Sequence, residues 1–179
     1  MSEFSLHPRL AADCHHVCKL SLSHLLLLNN AHHKWFILVP EVSAEQLHLL
    51  QPDERNTLLA EVQTVSEILE NEFSPKRINV GAIGNMVPQL HFHVVARFED
   101  DPAWPGVVWG HPESIAYQQE ELDALLDLFK SKLNSLTSVD SLDTMPSIST
   151  LPSVVMSLST VQLWETLDTM LSLDNFPML

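Results

Sequence analysis

Basic residues, cysteine and glycine are all scarce in this chain of 179 residues. Cysteine occurs only as Cys14 and Cys18. With nothing to suggest export, a structural disulfide is not expected in a reducing compartment. Lys and Arg total 9 against 23 acidic residues, a formal net charge of −14. That balance argues against a general nucleic-acid surface, because phosphate backbones are held by Lys and Arg stripes. It leaves room for one bound nucleotide, since backbone N–H groups, helix ends and imidazoles hold a phosphate without a basic patch. Long hydrophobic runs are also missing. The longest aliphatic run, Leu25 to Leu28, is far short of the roughly 20 residues of a membrane helix. No Lys/Arg-led apolar stretch opens the chain as a secretory signal would. A soluble, cytoplasmic protein with no membrane partner is the expectation. Its hydrophobic content of 45% is near the globular norm and supplies a core of useful size.

What is present divides near residue 136. Every Lys and Arg lies before that point, Lys132 being the last, whereas 137–179 carries only Asp140, Asp143, Glu165, Asp168 and Asp174 as charged groups. This acidic tail is rich in Ser, Thr, Leu and Pro and has neither Gly nor His. Residues 137–158 show no sustained period and are interrupted by Pro146 and Pro152, which reads as a linker. Ser159-Thr160-Val161-Gln162 resembles a capping box. Leu163, Leu167, Met170 and Leu171 follow at helical spacing, so a short amphipathic helix is expected at 160–173, a candidate docking element for a protein partner.

Residues 1–136 carry more regular signals. Leu22–Leu28 and Trp35–Val39 read as strands joined by a polar turn, with Pro40 ending the second. Pro52-Asp53-Glu54 opens a long helix with an apolar stripe at Leu58, Val62, Val65 and Leu69, stopped by Ser74-Pro75. Arg77–Ala82 and Leu90–Arg97 form a second strand pair. A last helix at about 118–134 buries Leu122, Leu125, Leu126 and Phe129. Two strands, a long helix, two strands and a helix make an α+β order.

The segment from Asn79 to Arg97 carries the chemistry. On a strand, Leu90, Phe92, Val94 and Ala96 face one way and pack inward. Gln89, His91, His93, Val95 and Arg97 face the other, with the two histidines roughly 7 Å apart between Cα atoms. Core packing does not ask for two imidazoles, an amide and a guanidinium on one face. All four glycines fall between positions 81 and 110, and Gly81 and Gly84 precede the histidines. Glycine permits unusual backbone angles and close approach to a ligand, so this loop is expected to aim N–H groups at a phosphate.

Gln89-Leu90-His91-Phe92-His93-Val94-Val95 resembles the signature of the histidine triad (HIT) family, in which three histidines alternate with apolar residues and the first is Gln here. Trp35-Phe36-Ile37-Leu38-Val39-Pro40 resembles the strand-then-proline segment before the family's long helix. The segment from Asp101 to Gly110 resembles the one after the triad in a bacterial branch of small HIT proteins. The likeness spans about residues 4–112 and implies an α+β domain with an antiparallel sheet, paired into a homodimer. It also implies a nucleotide substrate and no cofactor or metal. His91 matches the nucleophile that takes a nucleotidyl group from a dinucleoside polyphosphate, a nucleoside phosphoramidate or a related nucleotide. A neutral imidazole is required, so its other nitrogen is expected to donate to a backbone carbonyl. His93 matches the histidine that hydrogen-bonds phosphate oxygens and helps the leaving group depart. Gln89 stands where the family has a supporting histidine. Asn79 matches a polar residue near the phosphate, and Gly84, Asn85, Met86 and Val87 match the loop whose N–H groups bind it. Asn29 or Asn30 stands where the family grips ribose hydroxyls. Met86 lies near the position of a hydroxyl that many relatives carry.

Gln89 and Met86 keep open a catalytically weak nucleotide-binding protein. A metal-binding module built on His91, His93 and Cys14-His15-His16-Val17-Cys18 is a weaker alternative, because the x₃ spacing is not the usual Cys-x₂-Cys. The Cys14–Cys18 stretch reads more simply as a partly buried edge with solvated histidines, and His32-His33 as a turn. Arg97 either balances Glu99, Asp100 and Asp101 or lies near the phosphate. Trp104 and Trp109 read as packing residues.

Overall fold

A computed structural model describes residues 4–139 of the chain. The expected linker and the helix at 160–173 lie outside the described residues. The elements are α1 (Pro8–Asp13), β1 (Cys14–Lys19), β2 (Ser23–Leu28), β3 (Lys34–Pro40), a 3₁₀ turn (Leu47–Leu49), α2 (Pro52–Phe73), β4 (Arg77–Gly81), β5 (Phe92–Arg97) and α3 (Gln119–Val139). The strands form one sheet in the order β1-β2-β3-β5-β4, each neighbouring pair antiparallel. No helix among the described residues is long and apolar enough to cross a membrane.

The central strands are buried on both faces. All six residues of β5 are buried, and in β3 every residue but Lys34. One face, with Phe36, Leu38, Phe92, Val94 and Ala96, packs with Leu58, Val65 and Leu69 of α2 and Leu122, Leu125 and Phe129 of α3. Phe36 and Phe129 stack with ring centroids 3.9 Å apart. The other face, with Leu26, Trp35, Ile37, Val39 and Val95, packs with Leu10, Val87, Ala103 and Val108. Burying both faces of two middle strands is stabilising, at about 25 cal/mol per Å² of apolar surface removed from water.

Local chemistry sets the helix limits. Gln51 and Glu54 form a reciprocal cap at the start of α2, and Pro52 occupies its first turn, where a missing N–H is harmless. Ser74 ends α2 in the left-handed region, at φ 47° and ψ 52°. Glu61, buried on α2, accepts from the backbone N–H groups of Leu22 at 2.6 Å and Ser23 at 3.3 Å, tying the β1–β2 turn to the helix.

Four features depart from the sequence reading, the first being helix α1 (Pro8–Asp13), which no sequence signal marked. The Cys14–Cys18 stretch is a paired edge strand, β1, with an irregularity in register between His16 and Cys18. Val17 is its only buried residue, so its sequence carries no clear alternation. Strand β5 begins at Phe92 rather than Leu90, because its two ladders stop there: the last pairs are Leu38 with Phe92 and Gly81 with His93, while Val39 and Pro40 of β3 pair only with β2. Helix α3 continues to Val139, past the expected 134, since no Pro or Gly interrupts it.

Candidate active site

His93 lies in β5 and His91 immediately precedes that strand, on the face opposite α2 and α3. Their rings lie edge to face with centroids 4.9 Å apart. His91 is only 5% exposed, yet it lines a cleft of about 450 Å³ together with Gly84, Asn85, Pro88 and the segment Glu45–His48. Its Nδ1 lies 2.7 Å from the carbonyl oxygen of Gln89. A carbonyl only accepts, so Nδ1 carries the proton and a neutral His91 keeps its Nε2 lone pair free.

His93 is held from the other side. The indole N–H of Trp35 donates to His93 Nδ1 at 2.9 Å in a buried hydrogen bond. Trp109 completes the enclosure, its ring 6.0 Å from His93 and 6.2 Å from Trp35 between centroids. Burial first, and the neighbouring His91 second, push the His93 imidazole down to about 4, so it is neutral at physiological pH.

Gly81 pairs with His93 across the β4–β5 ladder. A Cβ there would come within 3.1 Å of Trp109 Cζ2. The unusual backbone angles expected of Gly81 and Gly84 are absent, since Gly110, at φ 89°, is the positive-φ glycine among the described residues. Gly81 is small because an indole lies on it. In the following loop Gly84 and Asn85 line the cleft, Val87 is anchored in the apolar cluster, and Met86 is 75% exposed.

Other expected site residues are engaged elsewhere. The Gln89 side chain accepts from His7 N at 2.8 Å and donates to Ser5 O at 3.0 Å, pinning the N-terminal segment beside the cleft. Asn79 Oδ1 accepts from Arg97 Nη1 at 2.8 Å. Arg97 also pairs with Asp101 at 2.8 Å and 3.1 Å and donates to Gly106 O at 2.9 Å. The guanidinium is therefore a buried clamp on the loop that leads to Trp109. Asn29 Oδ1 accepts from Tyr117 N at 3.0 Å, and Asn30 Oδ1 from His32 N at 3.2 Å. Both asparagines follow β2, at the sheet end where Lys34 pairs with Ala96, and both side-chain oxygens are engaged within the chain.

Cys14 and Cys18 are free thiols on β1, separated from β5 by β2 and β3. Burial, with Asp13 adding, pushes the Cys14 thiol up to about 12, and burial also raises that of Cys18. Neither is a thiolate nucleophile at neutral pH. Among the described residues no group of three His, Cys, Asp or Glu side chains is arranged to hold a metal ion.

Sequence reasoning missed the parts played by Trp35 and by the Glu45–His48 wall. Trp35 opens the apolar run of β3, where an indole reads as core. Only the pairing of Trp35 with Val95 and Ile37 with His93 brings it to an imidazole.

A HIT domain sequence model matches residues 9–100. Among solved structures, the histidine triad protein of Marinobacter aquaeolei VT8 is 39% identical over 75% of this chain and 99% of that one, with a TM-score of 0.72. Those of Sinorhizobium meliloti 1021 and Bradyrhizobium japonicum are 35% and 33% identical, each over 72% of this chain and 96% of the other, both at a TM-score of 0.70. No curated protein matches the chain. With the family model spanning half the chain and these structures, at 33% identity or more, each covering at least 72% of it, the protein belongs to the histidine triad family.

Proposed function

We propose that the protein is a nucleotide hydrolase or transferase that cleaves a phosphoanhydride or phosphoramidate at the α-phosphate, with His91 as nucleophile. The observation that carries this reading is the hydrogen bond from His91 Nδ1 to Gln89 O on a ring that lines the cleft. It leaves Nε2 as an unprotonated nitrogen ready to attack phosphorus. In the first step the Nε2 lone pair forms a P–N bond, and the P–O or P–N bond to the leaving group breaks with its electron pair. In the second, water attacks the same phosphorus, gives up a proton, and releases the mononucleotide from His91. Dividing one displacement into two is the usual gain of covalent catalysis. Backbone N–H groups of Gly84 and Asn85 fit a role in holding the phosphate, and His93 one in donating a hydrogen bond to its oxygens. Gln89 supports the nucleophile by presenting its carbonyl, while its side chain holds residues 5–7.

Release of AMP or GMP should be lost in His91→Asn and His91→Ala, tested on dinucleoside polyphosphates, aminoacyl-adenylates and phosphoramidates. Turnover equal to wild type would reject the assignment. A nucleotide-binding protein that has lost catalysis is the second reading, favoured by the commitment of the Gln89 amide to the N-terminal segment. Trapping a nucleotidyl group on His91 with labelled substrate eliminates it. We further propose a homodimer, supported by the exposed Val80 on edge strand β4 and Ile83 and Met86 in the loop that follows it; a monomeric mass by light scattering would refute it.

A further inference from the structure

The environment of His93 is built around one donor. Trp35 projects from β3 on the His93 face of the sheet, and its indole N–H meets Nδ1 at 2.9 Å away from solvent. An indole nitrogen donates and never accepts. A neutral imidazole that accepts at Nδ1 carries its proton on Nε2. An imidazolium would carry a proton on Nδ1 as well and set two N–H donors against each other.

We propose that Trp35 is a positioning residue that locks His93 in the Nε2–H tautomer, making it a neutral hydrogen-bond donor to the substrate phosphate and not the proton source for the leaving group. The catalytic half of this statement rests on the nucleotidyl-transfer reading above; the tautomer half does not. In the resulting step His93 keeps its proton throughout. The leaving group departs from phosphorus with the bonding electron pair and takes its proton from solvent. A neutral His93 cannot supply that proton without becoming an imidazolate, whose formation is out of reach at physiological pH.

The surroundings favour the same state. The titratable group facing His93 from its own segment is His91, 4.9 Å away between ring centroids. Behind Trp35 stands His33, 6.1 Å from the indole centroid. Across the ladder β4 presents Gly81, and the loop after β5 presents Trp109, neither of which titrates in the relevant range. The charges of Arg97 and Asp101 are paired with each other. No carboxylate in this set is placed to stabilise an imidazolium, and burial acts against one, in line with the downward shift of His93.

Long-range ¹H–¹⁵N NMR of the full-length wild-type protein, with His93 assigned through His93→Gln, reads the tautomer directly. The expected result is a proton on Nε2 and an accepting Nδ1, unchanged from about pH 7.5 to about pH 5.5, where a free histidine would titrate. A proton on Nδ1, or an imidazolium near pH 6, overturns the proposal without any variant. Trp35→Phe keeps an aromatic ring and removes the donor, its folding being checked by thermal melting. It should give mixed tautomers and an upward-shifted titration. With a substrate found in the panel above, kcat should fall about tenfold or more, within the range set by positioned proton and hydrogen-bond donors, with KM nearly unchanged. An unaltered tautomer in a folded Trp35→Phe protein refutes the lock. If the lock is found but His91→Asn turns over substrate as well as wild type, the reaction reading fails and the lock stands.

Discussion

Replacing Arg97 by Met would test whether the loop carrying Trp109 is held by a buried charge. Arg97 and Asp101 have side chains that are each 2% exposed, joined at 2.8 Å. Met fills much of the volume but removes both bonds to Asp101, the bond to Asn79 Oδ1 and the bond to Gly106 O. Asp101 would keep only the backbone N–H groups of Phe98 and Ala103, with its charge buried and uncompensated. Breaking one side of a buried pair costs about 3–5 kcal/mol, a large part of the roughly 5–15 kcal/mol that a domain has. At about 3 °C per kcal/mol for a domain of this size, the midpoint should drop by roughly 10–15 °C. Urea and thermal unfolding of Arg97→Met, Asp101→Leu and the double variant would measure it. The double variant should cost much less than the sum of the singles, because each single leaves the other partner's charge orphaned. A loss under about 1 kcal/mol, or simple additivity, would show that the clamp does not stabilise the loop in this way.

Gly81→Ala would press a methyl group to within 3.1 Å of Trp109 Cζ2. A stability loss of about 1–3 kcal/mol is expected from overpacking, with a fall in kcat as the ring is displaced from His93; full activity would show that Trp109 does not need its seat. Glu61→Ala would orphan the Leu22 and Ser23 N–H groups and should cost about 2 kcal/mol by urea denaturation, whereas Glu61→Gln, which still accepts, should cost less. The pH dependence has a definite sign. His93 is held near 4 against an ordinary 6.5, so the unfolded chain takes the proton first. The stability contribution is complete above about pH 6.5 and declines toward about pH 4, by up to about 3 kcal/mol. His93→Asn should flatten that part of the profile, and an equal slope in both proteins would contradict it. Below that window Asp101 takes over. Burial alone would raise its carboxyl, but the hydrogen bonds and charge of Arg97, with the Ala103 and Phe98 N–H groups, outweigh burial and hold it below its ordinary value. Its contribution is present above about pH 4 and is lost as acid protonates it.

The sequence by itself determined the two long helices α2 and α3, four of the five strands and the pair of histidines, because those depend on short-range periodicity; the six-residue helix α1 is too short to show a period. The stripe Leu58, Val62, Val65 and Leu69 can only be one face of a helix, and alternation from Leu90 to Arg97 separates apolar from functional side chains whatever the strand pairs with. The Gln89–Val95 pattern and two flanking segments also sufficed to place the chain in its family. Tertiary structure decided what each polar group does, since that depends on strand register. Pairing of β3 with β5 brings the Trp35 indole to His93. Pairing of β4 with β5 sets Gly81 under Trp109 and Asn79 against Arg97. Gln89 turned its amide to residues 5–7, more than 80 positions away in the chain. β1 was hidden for the same reason: an edge strand with one buried residue is specified by its neighbour β2 and not by its own side chains.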